Sequence, residues 1–210
     1  MIPRGGELQH FDLRIPLQGL PRILKIREET IPNKVPYLFP PEYAVKRWAE
    51  RLADEKRVKV GLAWAGSSGV AGDSRTRSIE VYAPLAGIEG VKFFSLQKGA
   101  EAGQIPPAGM ELADYTGEFS DFAESAAFVQ NLDLVISVDT STAHLAGALG
   151  KPVWIQIPWT ADFRWMYKRK DSPWYPTMRL FQDPKRGDNR TPFLEIGKAL
   201  REFVGSKASA

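Results

Sequence analysis

The sequence contains no cysteine, and only two of its 210 residues are histidine. Disulfide bonds and cysteine-based zinc sites are therefore excluded, and a histidine-rich metal site is not expected. No apolar run approaches the roughly 20 residues that a membrane-spanning helix needs, and no apolar signal core follows the N-terminus. We therefore expect a cytoplasmic protein that holds neither a metal nor a resident cofactor.

A strong excess of one charge is also lacking, because the net charge is only +3 while 25% of the residues are charged. Together with 43% hydrophobic residues, this composition is typical of a soluble globular protein. The charge permits an anionic ligand without requiring nucleic acid. The sequence pI of about 9.1 keeps a nucleic-acid binder as an alternative, but the basic residues are interleaved with acidic ones, which disfavours it.

Prolines at positions 3, 16, 21, 32, 36, 40 and 41 set the N-terminal region apart. They prevent a long helix there, so the sequence predicts an extended, proline-rich N-terminal arm. A short amphipathic helix follows over 41–52, and we group residues 1–55 together. The arm is either the remnant of a domain that is mostly absent or an ordinary extension.

Residues 56–206 are predicted to form one α/β domain. Apolar segments at 58–64, 91–96, 133–138 and 153–157 read as buried strands, and helices separate them. A weaker strand is expected at 111–113 and an edge strand at 178–181. Strands that are apolar throughout and alternate with helices indicate a Rossmann-like, doubly wound parallel sheet covered on both faces. The expected strand order is 3-2-1-4-5.

Two polar loops coincide with the point where this strand order reverses. One spans residues 65–77 after the first strand, and the other spans 139–142 after the fourth. Ligands of doubly wound folds bind at such a switch point, beyond the carboxyl ends of the strands. A helix predicted to start near Ser141 would direct free N–H groups and its positive dipole end at the ligand, which suits a phosphate. The candidate contacts are Gly66, Ser67, Arg75, Arg77, Lys98, Asp139, Thr140, Ser141, Thr142 and His144.

Each candidate also has a plainer interpretation. Asp139, Thr140 and Ser141 can simply cap the helix, and Asp139 suits either a sugar hydroxyl or a bond within its own turn. The two arginines can belong to a solvated loop, and His144 can be a structural histidine. The aromatic residues between 159 and 175 either pack together or form a platform for a sugar or acceptor.

Residues 138–154 carry a family likeness. They resemble the Asp-Thr-x-x-x-His-Leu-Ala-x-Ala-Leu-x-x-Pro signature of heptosyltransferase-like (family 9) glycosyltransferases. The match looks closer still to the glycosyltransferase domains that follow tetratricopeptide repeats in bacterial proteins. Further typical segments are residues 61–66, 77–79, 95–99 and 171–176, together with Trp165. The resemblance runs from about Phe11 to Val204 and implies the C-terminal half of a GT-B fold.

The resemblance also implies a function. The domain would bind a nucleotide-diphosphate sugar and transfer the sugar to an unknown glycan or protein acceptor. Asp139, Thr140 and His144 would contact the diphosphate and sugar, Gln97 and Lys98 would lie near the nucleotide, and Phe122 would flank the base. Arg77 would take the place of the family's basic residue after the first strand. With His144 it would stabilise the leaving nucleotide diphosphate, so these two are the expected catalytic residues.

The sequence departs from the family pattern at its N-terminus. The acceptor-binding half of a GT-B enzyme is absent apart from residues 1 to about 45, and no tetratricopeptide repeats are present. The chain is therefore expected to be a glycosyltransferase complemented by a missing N-terminal half, or a truncated, non-catalytic module that binds nucleotide sugar or a protein. Exposed apolar residues in the arm also favour association between copies of the chain.

Overall fold

The computed structural model describes residues 10–66 and 75–208. Residue contacts divide the chain into two compact units, residues 1–32 and 33–210. The described part of the first unit contains two 3-10 helices, Leu17–Gly19 and Glu28–Thr30, and a short helix α1, Leu20–Ile23. Pro21 lies in the first turn of α1, where its missing N–H is not needed. The prediction that no long helix forms here is confirmed for residues 10–32.

The second unit is built on a six-stranded sheet whose strands are all parallel. The strand order is β3-β2-β1-β4-β5-β6, which confirms the predicted order and adds the predicted edge strand beside β5. The strands are β1 Val58–Ala63, β2 Val91–Ser95, β3 Leu112–Asp114, β4 Leu134–Val138, β5 Val153–Ile157 and β6 Met178–Gln182. The helices are α2 Glu42–Arg51, α3 Phe122–Gln130, α4 Ser141–Ala148 and α5 Thr191–Ala208, with 3-10 helices Ile79–Leu85, Thr116–Glu118 and Phe163–Trp165.

Both faces of the sheet are covered, because β4 and β5 are buried at every position. One core cluster contains side chains of α2, α3 and α4, and the other contains side chains of α5 and the 3-10 helix Ile79–Leu85. The predicted doubly wound, Rossmann-like α/β fold is therefore confirmed. Within the described residues, no helix is long and apolar enough to cross a lipid bilayer.

The segment after β1 differs from its prediction. The sequence predicts a helix over about 79–87 that Ser78 caps, but the structure has a 3-10 helix, Ile79–Leu85, with Pro84 inside it. Pro84 has no N–H to donate to a preceding turn, which accounts for the short, tight element. The expected cap is present, since the Ser78 hydroxyl accepts a hydrogen bond from the Glu80 N–H.

Helix α2, which the sequence analysis grouped with the arm, packs against α3. Trp48 of α2 is fully buried, and its ring meets Phe128 edge-on with centroids 4.9 Å apart. The sequence predicts that Asp121 caps α3, and the structure confirms this, because Asp121 accepts from the Glu124 N–H. The Glu124 carboxylate accepts from the Trp48 indole and from Arg47, so it fastens α3 to α2. That residues 1–55 derive from a GT-B N-terminal domain stays a prediction.

Candidate ligand-binding site

A pocket of about 510 Å³ opens at the carboxyl ends of β1 and β4, the predicted switch point. Its walls come from the loops after β1, β2 and β4 and from one face of α3. The structure therefore brings the two polar loops together with the second strand's exit, as the topology predicts. The predicted site residues that line it are Gly66, Arg75, Gln97, Lys98, Phe122, Asp139, Thr140, Ser141 and Thr142.

The N-terminus of α4 lies in this pocket with its first donors unused. Thr140 is the N-cap residue, but its side chain makes no capping hydrogen bond. The Thr140 hydroxyl lies 3.0 Å from the Ser137 hydroxyl. Because the Ser137 hydroxyl donates its proton to the Val138 carbonyl, Thr140 donates to Ser137. In the part of the chain that the structure describes, no acceptor pairs with the N–H of Ser141 or Thr142. Thr140 therefore occupies the N-cap position without the side-chain capping bond that the plainer interpretation expects.

Asp139 is a buried carboxylate, only 3% exposed, in the pocket wall. Its Oδ1 lies 3.8 Å from His144 Nε2, and its Oδ2 lies 3.9 Å from a terminal nitrogen of Arg164. Both distances are longer than a hydrogen bond allows. Within residues 10–66 and 75–208, no group donates a hydrogen bond to this carboxylate. Asp139 therefore retains acceptor capacity for a ligand hydroxyl.

His144 lies behind the pocket rather than in its lining. Its ring stacks on buried Trp165 at 5.3 Å, and its Nδ1 lies 3.0 Å from the Tyr175 hydroxyl. The Tyr37 hydroxyl donates to the Tyr175 hydroxyl, so the Tyr175 proton can be donated to His144 Nδ1. With Nδ1 as an acceptor, neutral His144 carries its proton on Nε2, which faces Asp139. Burial, and then the charge of Arg164, hold the His144 pKa below its usual value, so the ring is neutral near pH 7.

Arg77 does not line the pocket either. Its guanidinium contacts Asp183 at 3.2 Å, and both side chains are largely buried, 12% and 4% exposed. The Gln156 side chain donates to the other carboxylate oxygen of Asp183 at 2.7 Å. The backbone N–H of Arg77 donates to the Trp64 carbonyl at 2.8 Å. Arg77 thus ties the loop after β1 to the end of β6. The catalytic roles expected of Arg77 and His144 stay predictions that this geometry does not favour.

Gln97 and Lys98 build the pocket wall. The Gln97 side-chain oxygen accepts from the N–H groups of Trp64 and Ala65, both at 2.9 Å, and its amide nitrogen donates to the Ala65 and Lys98 carbonyls. All four of its hydrogen-bonding positions are therefore filled by backbone. The Lys98 ammonium donates to the carbonyls of Thr116 and Phe119, which leaves one proton for a ligand.

The remaining predicted residues occupy the rim. Phe122, at the start of α3, is 64% exposed and forms part of the lining. Arg75 and Gly66 also line the pocket, and Ser67 lies outside the described residues. Across the described ranges, no group of three or more histidine, aspartate or glutamate side chains is arranged to hold a metal ion.

Arg164, Tyr175 and Tyr37 contact His144, Asp139 or each other at the site, but the sequence does not predict them as site residues. Arg164 follows β5, the neighbour of β4, so its loop also lies at this edge of the sheet, beside those after β1, β2 and β4, and that topology could have indicated it. For the aromatic segment, the packing interpretation holds for Trp165, which is fully buried. Phe163 and Tyr167 are instead 81% and 76% exposed.

Gly147 in α4 is required by the ring that holds His144. A Cβ at this position would lie 2.7 Å from Cγ and Cδ1 of Tyr175. We expect Gly147→Ala to lower the free energy of unfolding by about 1–3 kcal/mol, although alanine is the better helix former. Urea denaturation measures this loss. Gly205→Ala in α5 is the matched control. A Cβ at Gly205 would meet no heavy atom of the described structure within 4 Å outside the backbone of its own helix, so this variant should not destabilise the fold. Equal stability of the two variants would contradict the close contact.

The fold and the pocket define a Rossmann-like α/β domain with a candidate ligand site at its switch point. No protein-family profile matches the chain. The chain is 30% identical over 199 residues to Protein FlbA of Caulobacter vibrioides, in an alignment that spans 87% of this chain. It spans only 32% of the length of that curated relative.

Two solved structures align with the chain, and one of them does so with a TM-score above 0.5. The chain is similar to ADP-heptose lps heptosyltransferase II of E. coli with a TM-score of 0.52 and 15% identity, over 87% of this chain and 57% of that one. A family 9 glycosyl transferase from Veillonella parvula aligns with a TM-score of 0.49 and 15% identity, over 79% of this chain and 45% of that one. The protein therefore shares the α/β fold of the aligned part of heptosyltransferase II.

Proposed function

We propose that the second unit binds a nucleotide-diphosphate sugar, with its diphosphate at the N-terminus of α4, and serves as the donor-binding domain of a glycosyltransferase. The observation that carries the proposal is the pair of unused N–H groups of Ser141 and Thr142 in a pocket at the switch point. A helix N-terminus of this kind favours phosphate through both its N–H groups and its dipole. The shared fold with a heptosyltransferase supports the choice of ligand.

The other pocket residues fit the same ligand. The hydroxyls of Ser141 and Thr142 add donors beside the helix N-terminus, and Arg75 and Lys98 bring positive charge to the rim. Asp139 offers acceptors to sugar hydroxyls. In transfer, the acceptor oxygen attacks the anomeric carbon while the bond from that carbon to the diphosphate breaks. The N–H groups and the two cations then stabilise the negative charge of the leaving diphosphate.

The acceptor and the partners of the whole protein belong to the proposal as well. The chain spans 32% of FlbA and 57% of heptosyltransferase II, so we expect the group that activates the acceptor to come from another domain or chain. An association with tetratricopeptide repeats and a cytoplasmic location remain predictions from the sequence. Binding of nucleotide sugar without transfer, even with that second domain present, would favour the non-catalytic module.

Ser141→Pro tests the role of the backbone donor. Ser141 is the first helical residue and Thr140 before it is extended, so proline fits here without breaking α4 and deletes one N–H. Loss of a charge-assisted hydrogen bond should weaken the binding of ADP-glucose, GDP-mannose or UDP-glucose, whichever the wild type prefers, by roughly tenfold or more. Isothermal titration calorimetry measures the change.

The control is Ser141→Ala, which removes the hydroxyl and keeps the N–H. It should bind more tightly than Ser141→Pro, while both variants show the thermal stability of a folded protein. Wild-type protein that is folded yet binds none of the three nucleotide sugars would refute the proposed function. Equal affinity of Ser141→Pro and wild type would show that the helix N-terminus is not the phosphate site.

A further inference from the structure

The loop after β5 holds Arg164 in a fixed position. Asp162 caps the 3-10 helix Phe163–Trp165, and its Oδ1 accepts from both the N–H and the Nε of Arg164, at 3.0 and 2.9 Å. The Trp174 indole donates to the Arg164 carbonyl at 2.9 Å. Trp165, the next residue, is fully buried against the ring of His144. Both the backbone and the head group of Arg164 are therefore anchored without any ligand.

The anchored guanidinium lies beside the buried carboxylate of the pocket. Arg164 is 3.9 Å from Asp139 Oδ2, while neutral His144 is 3.8 Å from Oδ1 on the other side. Arg164 is thus the full positive charge nearest to Asp139 in the described structure. A carboxylate that is 3% exposed needs such a charge, because burial without one is costly. Arg164 does not itself line the pocket, so it can act on a ligand only through Asp139 or by moving.

We propose that Arg164 is a positioning residue, whose charge holds the Asp139 carboxylate in the pocket wall as the acceptor for the ligand's sugar hydroxyls. The choice of ligand rests on the proposed function, whereas the electrostatic link between Arg164, Asp139 and His144 does not. Arg164 thereby connects the loop after β5 to a site that β1, β2 and β4 otherwise build.

His144 reports this link in the ligand-free protein. The groups that act on its charge are Arg164, Asp139 and Asp162, and the Tyr175 hydroxyl binds its Nδ1. Arg164 lowers the His144 pKa, while the two carboxylates raise it. We therefore expect Arg164→Gln to shift the NMR titration midpoint of His144 upward, and Arg164→Lys to retain more of the wild-type midpoint. The only other histidine, His10, provides an internal reference signal.

Arg169→Gln is the matched control. Arg169 lies in the same loop but pairs with Asp171 at 2.7 Å, so its removal should leave the His144 midpoint unchanged. A His144 midpoint in folded Arg164→Gln that equals the wild-type value would overturn the proposal. An equal shift of the His144 midpoint in Arg164→Gln and Arg169→Gln would also overturn the proposal, because it would show that any positive charge in this loop affects His144 alike.

Binding separates positioning from direct contact. The probes are the one of ADP-glucose, GDP-mannose and UDP-glucose that the wild type prefers, and the matching ADP, GDP or UDP. Arg164→Gln should lose roughly tenfold in affinity for the nucleotide sugar and much less for the nucleoside diphosphate. An equal loss for both probes would place Arg164 on the phosphates and contradict the role through Asp139. If the folded wild type binds none of the three nucleotide sugars, the proposed function fails, while the ligand-free titration of His144 still decides whether Arg164 controls the cluster.

Discussion

Truncation of Trp48 to alanine is expected to lower the free energy of unfolding by about 3–5 kcal/mol, the usual cost of deleting a buried tryptophan. Trp48 is fully buried, and its ring contacts those of Phe128 and Phe119 at 4.9 and 5.9 Å. Its indole N–H donates to Glu124 at 3.3 Å, which joins α2 to α3. Because Phe119 lines the pocket, the wall on the α3 side loses its support together with the core.

Two further substitutions make the Trp48 result specific. Trp48→Phe keeps most of the ring packing and should cost clearly less than Trp48→Ala. Tyr43→Ala lies on the same helix at a side chain that is 71% exposed, so its effect should stay within about 0.5 kcal/mol. Urea denaturation followed by tryptophan fluorescence and circular dichroism measures all three. A Trp48→Ala loss no larger than that of Tyr43→Ala would mean that α2 is not part of the core.

Replacing Arg77 by methionine should cost about 3 kcal/mol, because it leaves the carboxylate of Asp183 buried without its cation. Burial already raises the Asp183 pKa, and the contact with Arg77 opposes that rise. In the variant the pKa should rise further, and a raised folded-state pKa means that protonation favours the fold. The destabilisation should therefore be greatest near neutral pH and should shrink as the pH falls through the raised pKa.

The double variant Arg77→Met/Asp183→Asn removes the buried charge as well, so it should recover part of the stability lost in Arg77→Met. Arg186→Met, at an exposed arginine of the neighbouring loop, serves as the control and should be nearly neutral. Denaturant midpoints across pH 5–8 provide the comparison. If Arg77→Met has the wild-type midpoint but loses nucleotide-sugar binding, Arg77 is a ligand contact, as the family resemblance implies, and the ion pair is not structural.

The sheet and the position of the pocket were predictable because they depend on local patterns. Apolar runs bounded by glycine, proline and polar residues mark each strand, and general rules of handedness then fix the order. The same rules predict that the loops at 65–77 and 139–142 lie at one edge of the sheet, the edge at which the pocket lies. The 3-10 form of Ile79–Leu85 differs from the predicted helix, and Pro84 inside the segment is its physical reason.

The contacts within the site were less predictable, since they join residues far apart in sequence. His144 meets Tyr175 across 31 positions, and Tyr175 meets Tyr37 across 138. The choice of Asp183 as the partner of Arg77 likewise depends on how the loops after β1 and β6 pack. A motif can indicate that Gln97 is a site residue, but only the structure shows that its side-chain amide makes all of its hydrogen bonds with backbone groups.

The most direct test of the central claim is an amide NMR titration of the isotope-labelled protein with ADP-glucose, GDP-mannose and UDP-glucose in turn. If the diphosphate binds at the N-terminus of α4, the amide signals of Ser141 and Thr142 should shift strongly with one of these ligands, in the direction of stronger hydrogen bonding. Signals from α5 on the other face of the sheet should move little. Saturable binding that leaves the Ser141 and Thr142 amides unshifted, or no binding to any of the three, would contradict the account.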